Sequence, residues 1–137
     1  MAGALTRRRW DLVIAVTAAP YGSDTATTVL RLAQAALEQD RTVRVWACGW
    51  FTMLTQRGLG DVKPPNVRDP DGVYPSSAAV IRRMLADFDG RFGWIGCTTC
   101  SAERGATDHI PQVVMRTPGR LIETMRSAGQ SIYIGGM

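Results

Sequence analysis

The chain is poor in the side chains that most metal centres and catalytic sites use. Its 137 residues include one histidine, three cysteines and a single lysine, Lys63. The GxSxG serine motif, the P-loop and a GxGxxG pattern after a strand are all absent from the sequence. No apolar run approaches the length that a bilayer requires. We therefore do not expect a nucleophile-elbow hydrolase, a nucleotide-binding protein of these motif classes or a membrane-spanning protein.

Length and composition indicate one folded domain over residues 1–137. The chain has 45% hydrophobic and 20% charged residues, which is typical of a globular protein, and it is long enough to bury one core. The basic cluster Arg7–Arg9 precedes an apolar run, Leu12 to Val16, that is too short for a signal peptide. Three cysteines without such a signal are typical of the reducing cytoplasm, which is the location we expect.

The charge of the chain is basic but dispersed. The net charge is +4, and the 16 basic residues are arginines except for Lys63. No stripe of basic residues with interleaved aromatic residues is visible, as a nucleic-acid-binding surface would require. We therefore expect neither nucleic acid nor a membrane as a partner.

Apolar runs alternate with helical periodicity along the chain. These patterns predict strands at 11–17, 42–48, 91–97, 111–115 and 131–135. They predict a first helix that Ser23 or Asp24 caps and that carries Val29 to Leu37 on its apolar face, and further helices at 50–57, 76–87 and 118–128, with an irregular stretch at 58–75. Strands that alternate with helices favour right-handed crossovers and parallel pairing. The expected fold class is α/β, a three-layer α/β/α sandwich with a mostly parallel five-stranded sheet.

Two of the cysteines form the motif Cys97-Thr-Thr-Cys100, where an apolar strand ends and a short helical pattern begins. Sites in parallel sheets lie at the carboxyl ends of the strands, so Cys97 and the loop Pro20–Asp24 are expected at one edge. A cysteine that starts a helix is favoured as a thiolate, and Arg104 would strengthen this effect. We therefore predict that Cys97 is a reactive, low-pKa thiol on an exposed loop, and that Cys48 belongs to the core.

These segments resemble the DsrE/DsrF-like sulfur-relay family, which includes TusD- and YchN-type members and has the DsrEFH-like fold. The similarity covers nearly the whole chain. It rests on the order and spacing of Pro20-Tyr-Gly-Ser-Asp24, the strand Val43 to Trp46 and Cys97-x-x-Cys-x-x-x-Arg-Gly105. In that family a cysteine eight residues before the glycine accepts sulfur as a persulfide, and Cys97 matches it. Cys100 matches a second cysteine of the YchN-type members.

The resemblance implies an intracellular, sulfurtransferase-like carrier that accepts persulfide sulfur on Cys97 and passes it on. Cys100 would either attack that persulfide or pack inward. The expected partners are sulfur donor and acceptor proteins and further copies of the chain in a trimer or hexamer, and we expect no metal and no cofactor. Asp24 also suits a helix cap. Candidate substrate-binding residues at the same edge are Tyr21, Gly22, Asp24 and Arg104.

Other interpretations remain open. A thioredoxin-like protein is disfavoured because Pro111 lies only eleven positions after Cys100. A zinc site of Cys48, Cys97, Cys100 and His109 is disfavoured because only one pair has ligand spacing, and His109 reads as an ordinary loop residue. The main alternative is a non-catalytic, oligomeric module that binds a small molecule or senses redox state, in which the CxxC motif is structural.

Overall fold

A five-stranded parallel sheet forms the centre of the structure, a computed structural model that describes residues 10–136. The strands are β1 Leu12–Thr17, β2 Val43–Ala47, β3 Phe92–Cys97, β4 Val114–Arg116 and β5 Gln130–Gly135. They lie in the order β4-β3-β2-β1-β5, and every neighbouring pair is parallel. The predicted α/β class and parallel sheet are confirmed. The Arg7–Arg9 cluster falls outside the described residues.

Helices cover both faces of this sheet. The α-helices are α1 Thr25–Glu38, α2 Ser77–Asp87, α3 Thr98–Glu103 and α4 Leu121–Arg126. Short 3₁₀ helices occupy Gly49–Thr55, Arg57–Leu59 and Pro118–Arg120. No helix within residues 10–136 combines the length and apolarity needed to cross a bilayer.

Two predicted elements differ in detail from the structure. The helix predicted at 50–57 is a 3₁₀ helix, in which the Thr52 hydroxyl donates to the Gly49 carbonyl at 2.7 Å. The strand predicted at 111–115 begins later, because a turn closed by the hydrogen bond from Val113 N–H to the Ile110 carbonyl precedes it. Neither change alters the layers of the sandwich.

Alternate strand residues pack on opposite faces of the sheet, as the pleat of a strand requires. One face carries the larger core, which includes Ile14, Val45, Trp94, Val29 of α1 and Ile81 of α2. The other face carries a smaller core of Ala15, Trp46, Ile95 and Cys97, with Leu121 and Met125 of α4 against it. Cys97 therefore contributes its side chain to the core on the α4 side.

The register of β2 on β3 fixes where the cysteines leave the sheet. Ala47 pairs with Gly96, so the next residues, Cys48 and Cys97, lie at the same level on neighbouring strands about 4.8 Å apart. A Cβ at Gly96 would stand 3.0 Å from the Met115 sulfur, so glycine permits the close packing of β4 at this point. The sheet thus brings together two cysteines that are far apart in the chain.

Candidate functional site

Three cysteine thiols meet at the carboxyl edge of the sheet. The Sγ atoms of Cys48, Cys97 and Cys100 all lie within 4.8 Å of one another, and those of Cys48 and Cys100 are 3.6 Å apart. All three are free. We call these three residues the thiol cluster. Cys48 was expected in the core, but it is half-buried at the end of β2 and joins the CxxC pair.

The backbone around Cys48 and Gly49 sets the shape of the cluster. Cys48 is extended and its N–H donates to the Val16 carbonyl of β1 at 2.9 Å. Gly49 then adopts a φ of +56°, which glycine tolerates without the strain that other residues incur. This turn starts the 3₁₀ helix and directs the Gly49 N–H to the sulfur of Cys100.

The three thiols differ in their exposure to solvent. Cys97 is 0% exposed, whereas Cys48 and Cys100 are half-buried at the surface edge. The prediction that Cys97 lies on an exposed loop is wrong, because its side chain points into the small core beside Trp46 and Ile95. A reagent from solution therefore reaches the cluster from the side of Cys48 and Cys100.

The electrostatic setting also differs among the three thiols. Burial raises the pKa of Cys48 to about 12, and the indole N–H of Trp46 opposes this rise. Burial also raises the pKa of Cys97, although the backbone N–H of Cys100 stabilises its thiolate. A lowered pKa at Cys97 was expected from its place before a helix, and that expectation is wrong because desolvation is the larger effect.

Cys100 is the member with the favoured thiolate. Burial opposes its ionisation, but the Gly49 N–H, the two neighbouring thiols and the charge of Arg104 outweigh burial and lower the pKa of Cys100. Arg104 also donates to the Cys100 carbonyl at 3.3 Å. Its guanidinium lies 5.3 Å from the ring centre of Trp50, which holds the cation beside the cluster.

The predicted substrate-binding residues fall into two groups. Tyr21 and Gly22 line a shallow groove of about 350 Å³ together with Trp50 and Met53, so Trp50 links this groove to Arg104. Asp24 occupies the N-cap position of α1 without a capping hydrogen bond from its side chain, and it does not line the groove.

His109 braces the loops that carry the cluster. Its Nδ1 lies 2.8 Å from the Thr55 hydroxyl and its Nε2 lies 3.0 Å from the hydroxyl of buried Ser101. Burial lowers the pKa of His109, while the Ala106 backbone and Asp108 oppose that shift. The sequence predicts an ordinary loop residue here, whereas the structure shows that His109 joins the first 3₁₀ helix to α3 through hydrogen bonds. No spacing pattern in the sequence signals this contact.

A comparison with solved structures identifies the fold. No family model matches the chain, and no curated protein matches it. A solved structure, that of the YchN protein from E. coli, superposes with a TM-score of 0.68 at 23% identity, covering 90% of this chain and 98% of that one. The chain has the fold of YchN. At this identity the likeness concerns the fold, and the chemistry of the site rests on the thiol cluster itself.

Proposed function

We propose that the chain is a sulfur-relay protein, similar to the DsrE/DsrF-like family, that accepts persulfide sulfur at Cys100 of the thiol cluster and passes it on. The observation that supports this most strongly is the convergence of three free thiols within 4.8 Å. The YchN fold and the sequence resemblance agree with the proposal.

The receiving thiol in this proposal is Cys100 rather than Cys97. The resemblance assigns the carrier role to Cys97, but a donor protein must bring its persulfide into contact with the attacking sulfur. Cys97 is 0% exposed, so a donor reaches it only after the surrounding loops move. Cys100 lies half-buried in α3, beside the cation of Arg104.

Sulfur transfer between thiols needs no cofactor. The Cys100 thiolate attacks the outer sulfur of a donor persulfide, R–S–SH, forming Cys100–S–SH and releasing the donor thiolate R–S⁻. An acceptor thiolate then attacks the outer sulfur and takes it away, which restores the Cys100 thiolate. Arg104 stabilises the anionic form of Cys100 before and after each transfer.

Cys48 can release the bound sulfur as hydrogen sulfide. Its Sγ is 3.6 Å from that of Cys100. If no acceptor arrives, Cys48 attacks the inner sulfur of Cys100–S–SH as its proton passes to the departing sulfide, forming a Cys48–Cys100 disulfide and releasing hydrogen sulfide. The outer sulfur is reduced and the two cysteines are oxidised, so atoms and electrons balance.

Intact-protein mass spectrometry tests the proposal. Reduced, metal-free protein is incubated with a cysteine desulfurase and cysteine, and separately with a small-molecule persulfide, and the gain of one sulfur atom is measured. We expect wild type and Cys48→Ser to gain sulfur. The persulfide should have a longer lifetime in Cys48→Ser, because the Cys48–Cys100 disulfide cannot form. We expect Cys100→Ser to gain none.

Two results would contradict this assignment. Loss of sulfur loading in Cys97→Ser with retention in Cys100→Ser would return the carrier role to Cys97. Absence of loading in both wild type and Cys48→Ser, with both donors, would refute the sulfur-relay function. In that second case, formation of a disulfide by mild oxidants would favour the redox-sensing module instead.

The assembly and partners belong to the same proposal. We infer that donor and acceptor proteins dock beside Trp50, which is 54% exposed and lies next to Arg104. We also propose a cytoplasmic homo-oligomer, a trimer or hexamer, as the resemblance implies. Sedimentation equilibrium of the reduced protein measures this assembly, and a monomer at all concentrations would refute it.

A further inference from the structure

The thiol cluster has the composition and spacing of a site for a soft metal ion. Thiolate sulfur favours Cu(I) and Zn(II) over Mg²⁺ and Ca²⁺. A metal–sulfur bond of about 2.3 Å places sulfurs about 3.8 Å apart in a tetrahedral site and about 4.0 Å apart in a trigonal plane. The Cys48–Cys100 distance of 3.6 Å and the upper limit of 4.8 Å for all three pairs bracket these values.

Each sulfur of the cluster has an N–H group acting on it. The backbone N–H of Gly49 serves Cys100, and the backbone N–H of Cys100 serves Cys97. The indole N–H of Trp46 acts on Cys48. Trp46 is fully buried, and its Nε1 has no conventional hydrogen-bond partner among the residues that the structure describes. A thiolate at Cys48 would satisfy that donor, and N–H groups directed at ligand sulfur stabilise metal–thiolate sites.

The number of ligands favours Cu(I). Within residues 10–136, the cysteines form the group that can hold a metal, and it contains no fourth ligand. His109, the single histidine of the chain, has both ring nitrogens occupied by the hydroxyls of Thr55 and Ser101. Structural zinc sites almost always take four protein ligands, whereas monovalent copper is satisfied by three thiolates.

We propose that Cys48, Cys97 and Cys100 together bind one Cu(I) ion in a three-sulfur site. The ion arrives from the half-buried side of Cys48 and Cys100. Each thiol ligates as a thiolate and releases its proton to solvent, and the copper stays monovalent, so no electron is transferred. Arg104 offsets part of the negative charge that the site acquires. This proposal does not require sulfur transfer, although both use the Cys100 thiolate.

Anaerobic competition against a coloured Cu(I) chelator tests the site in the full, reduced chain. We expect one copper per chain by native mass spectrometry, and three sulfur neighbours at about 2.3 Å by X-ray absorption. Each of Cys48→Ser, Cys97→Ser and Cys100→Ser should weaken binding by at least about 100-fold, and Trp46→Phe by about 10-fold. Ser131→Ala, at an exposed position near the start of β5, is the control, which should bind as wild type does. Circular dichroism confirms that each variant is folded.

Three results would overturn the proposal. The first is failure of wild type to take copper from the chelator. The second is a fourth neighbour, a nitrogen, in the X-ray absorption spectrum, which would indicate a Cys₃His site. The third is preference for Zn(II), with a four-coordinate spectrum after replacement by Co(II). Sulfur loading is measured on metal-free protein, so a negative copper result leaves the sulfur-relay test unaffected.

Discussion

Replacing Gly49 with alanine tests how much the backbone turn beside the thiol cluster depends on glycine. An added Cβ has room there, since its nearest neighbours, Arg104 Nη2 and Thr17 Cβ, are both 4.0 Å away. The cost therefore comes from the backbone, because Gly49 has a φ of +56°. A left-handed conformation costs an alanine roughly 1–2 kcal/mol. We expect Gly49→Ala to lose about that much free energy of unfolding.

Urea unfolding, followed by circular dichroism with an unchanged m value, measures this loss. Gly58→Ala is the matched control, because Gly58 has open space around it and no positive φ. It should be neutral or gain up to about 1 kcal/mol. Gly105 has a φ of +65° in open space, so Gly105→Ala should resemble Gly49→Ala. Equal stabilities of Gly49→Ala and Gly58→Ala would refute the reasoning.

Two further predictions concern the N-cap of α2 and the protonation of His109. Ser76→Ala removes the N-cap of α2, where the Ser76 hydroxyl accepts from Ala79 N–H at 3.1 Å, and should cost about 1 kcal/mol in urea unfolding. The control Ser131→Ala, at an exposed position in β5, should change stability by less than about 0.5 kcal/mol. The lowered pKa of His109 means that the unfolded chain takes up the proton first as pH falls below about 6.5. Stability should therefore fall on acidification below that pH, and His109→Gln should flatten this part of the profile. Parallel profiles would contradict the prediction.

Most of the fold was accessible from periodicity. The apolar run that becomes β1 and the spacing of Val29, Ala33 and Leu37 in α1 follow from local sequence, and both elements lie where they were predicted. Strand order does not follow from such patterns, because it depends on which strands pair across long connections. The position of β1 between β2 and β5 is therefore a result of the structure alone.

The site was only partly predictable for the same reason. The CxxC motif is local, so Cys97 and Cys100 were identified from spacing. Cys48 joins them only because Ala47 pairs with Gly96, a contact between segments distant in sequence. The order of thiol reactivity was also hidden, since the burial of Cys97 depends on packing of its strand against the α4 side of the sheet.

The separation of Cys48 and Cys100 along the chain gives the cluster one more property. These residues are 52 positions apart, so any bond that joins their sulfurs closes a large loop in the unfolded chain. Closing a loop of this size removes unfolded-state entropy equivalent to about 4 kcal/mol in the chain-entropy treatment. The melting temperature of the protein therefore reports whether the sulfurs of the cluster are free or joined. Free thiols give the lowest value, and a disulfide or a shared ion raises it.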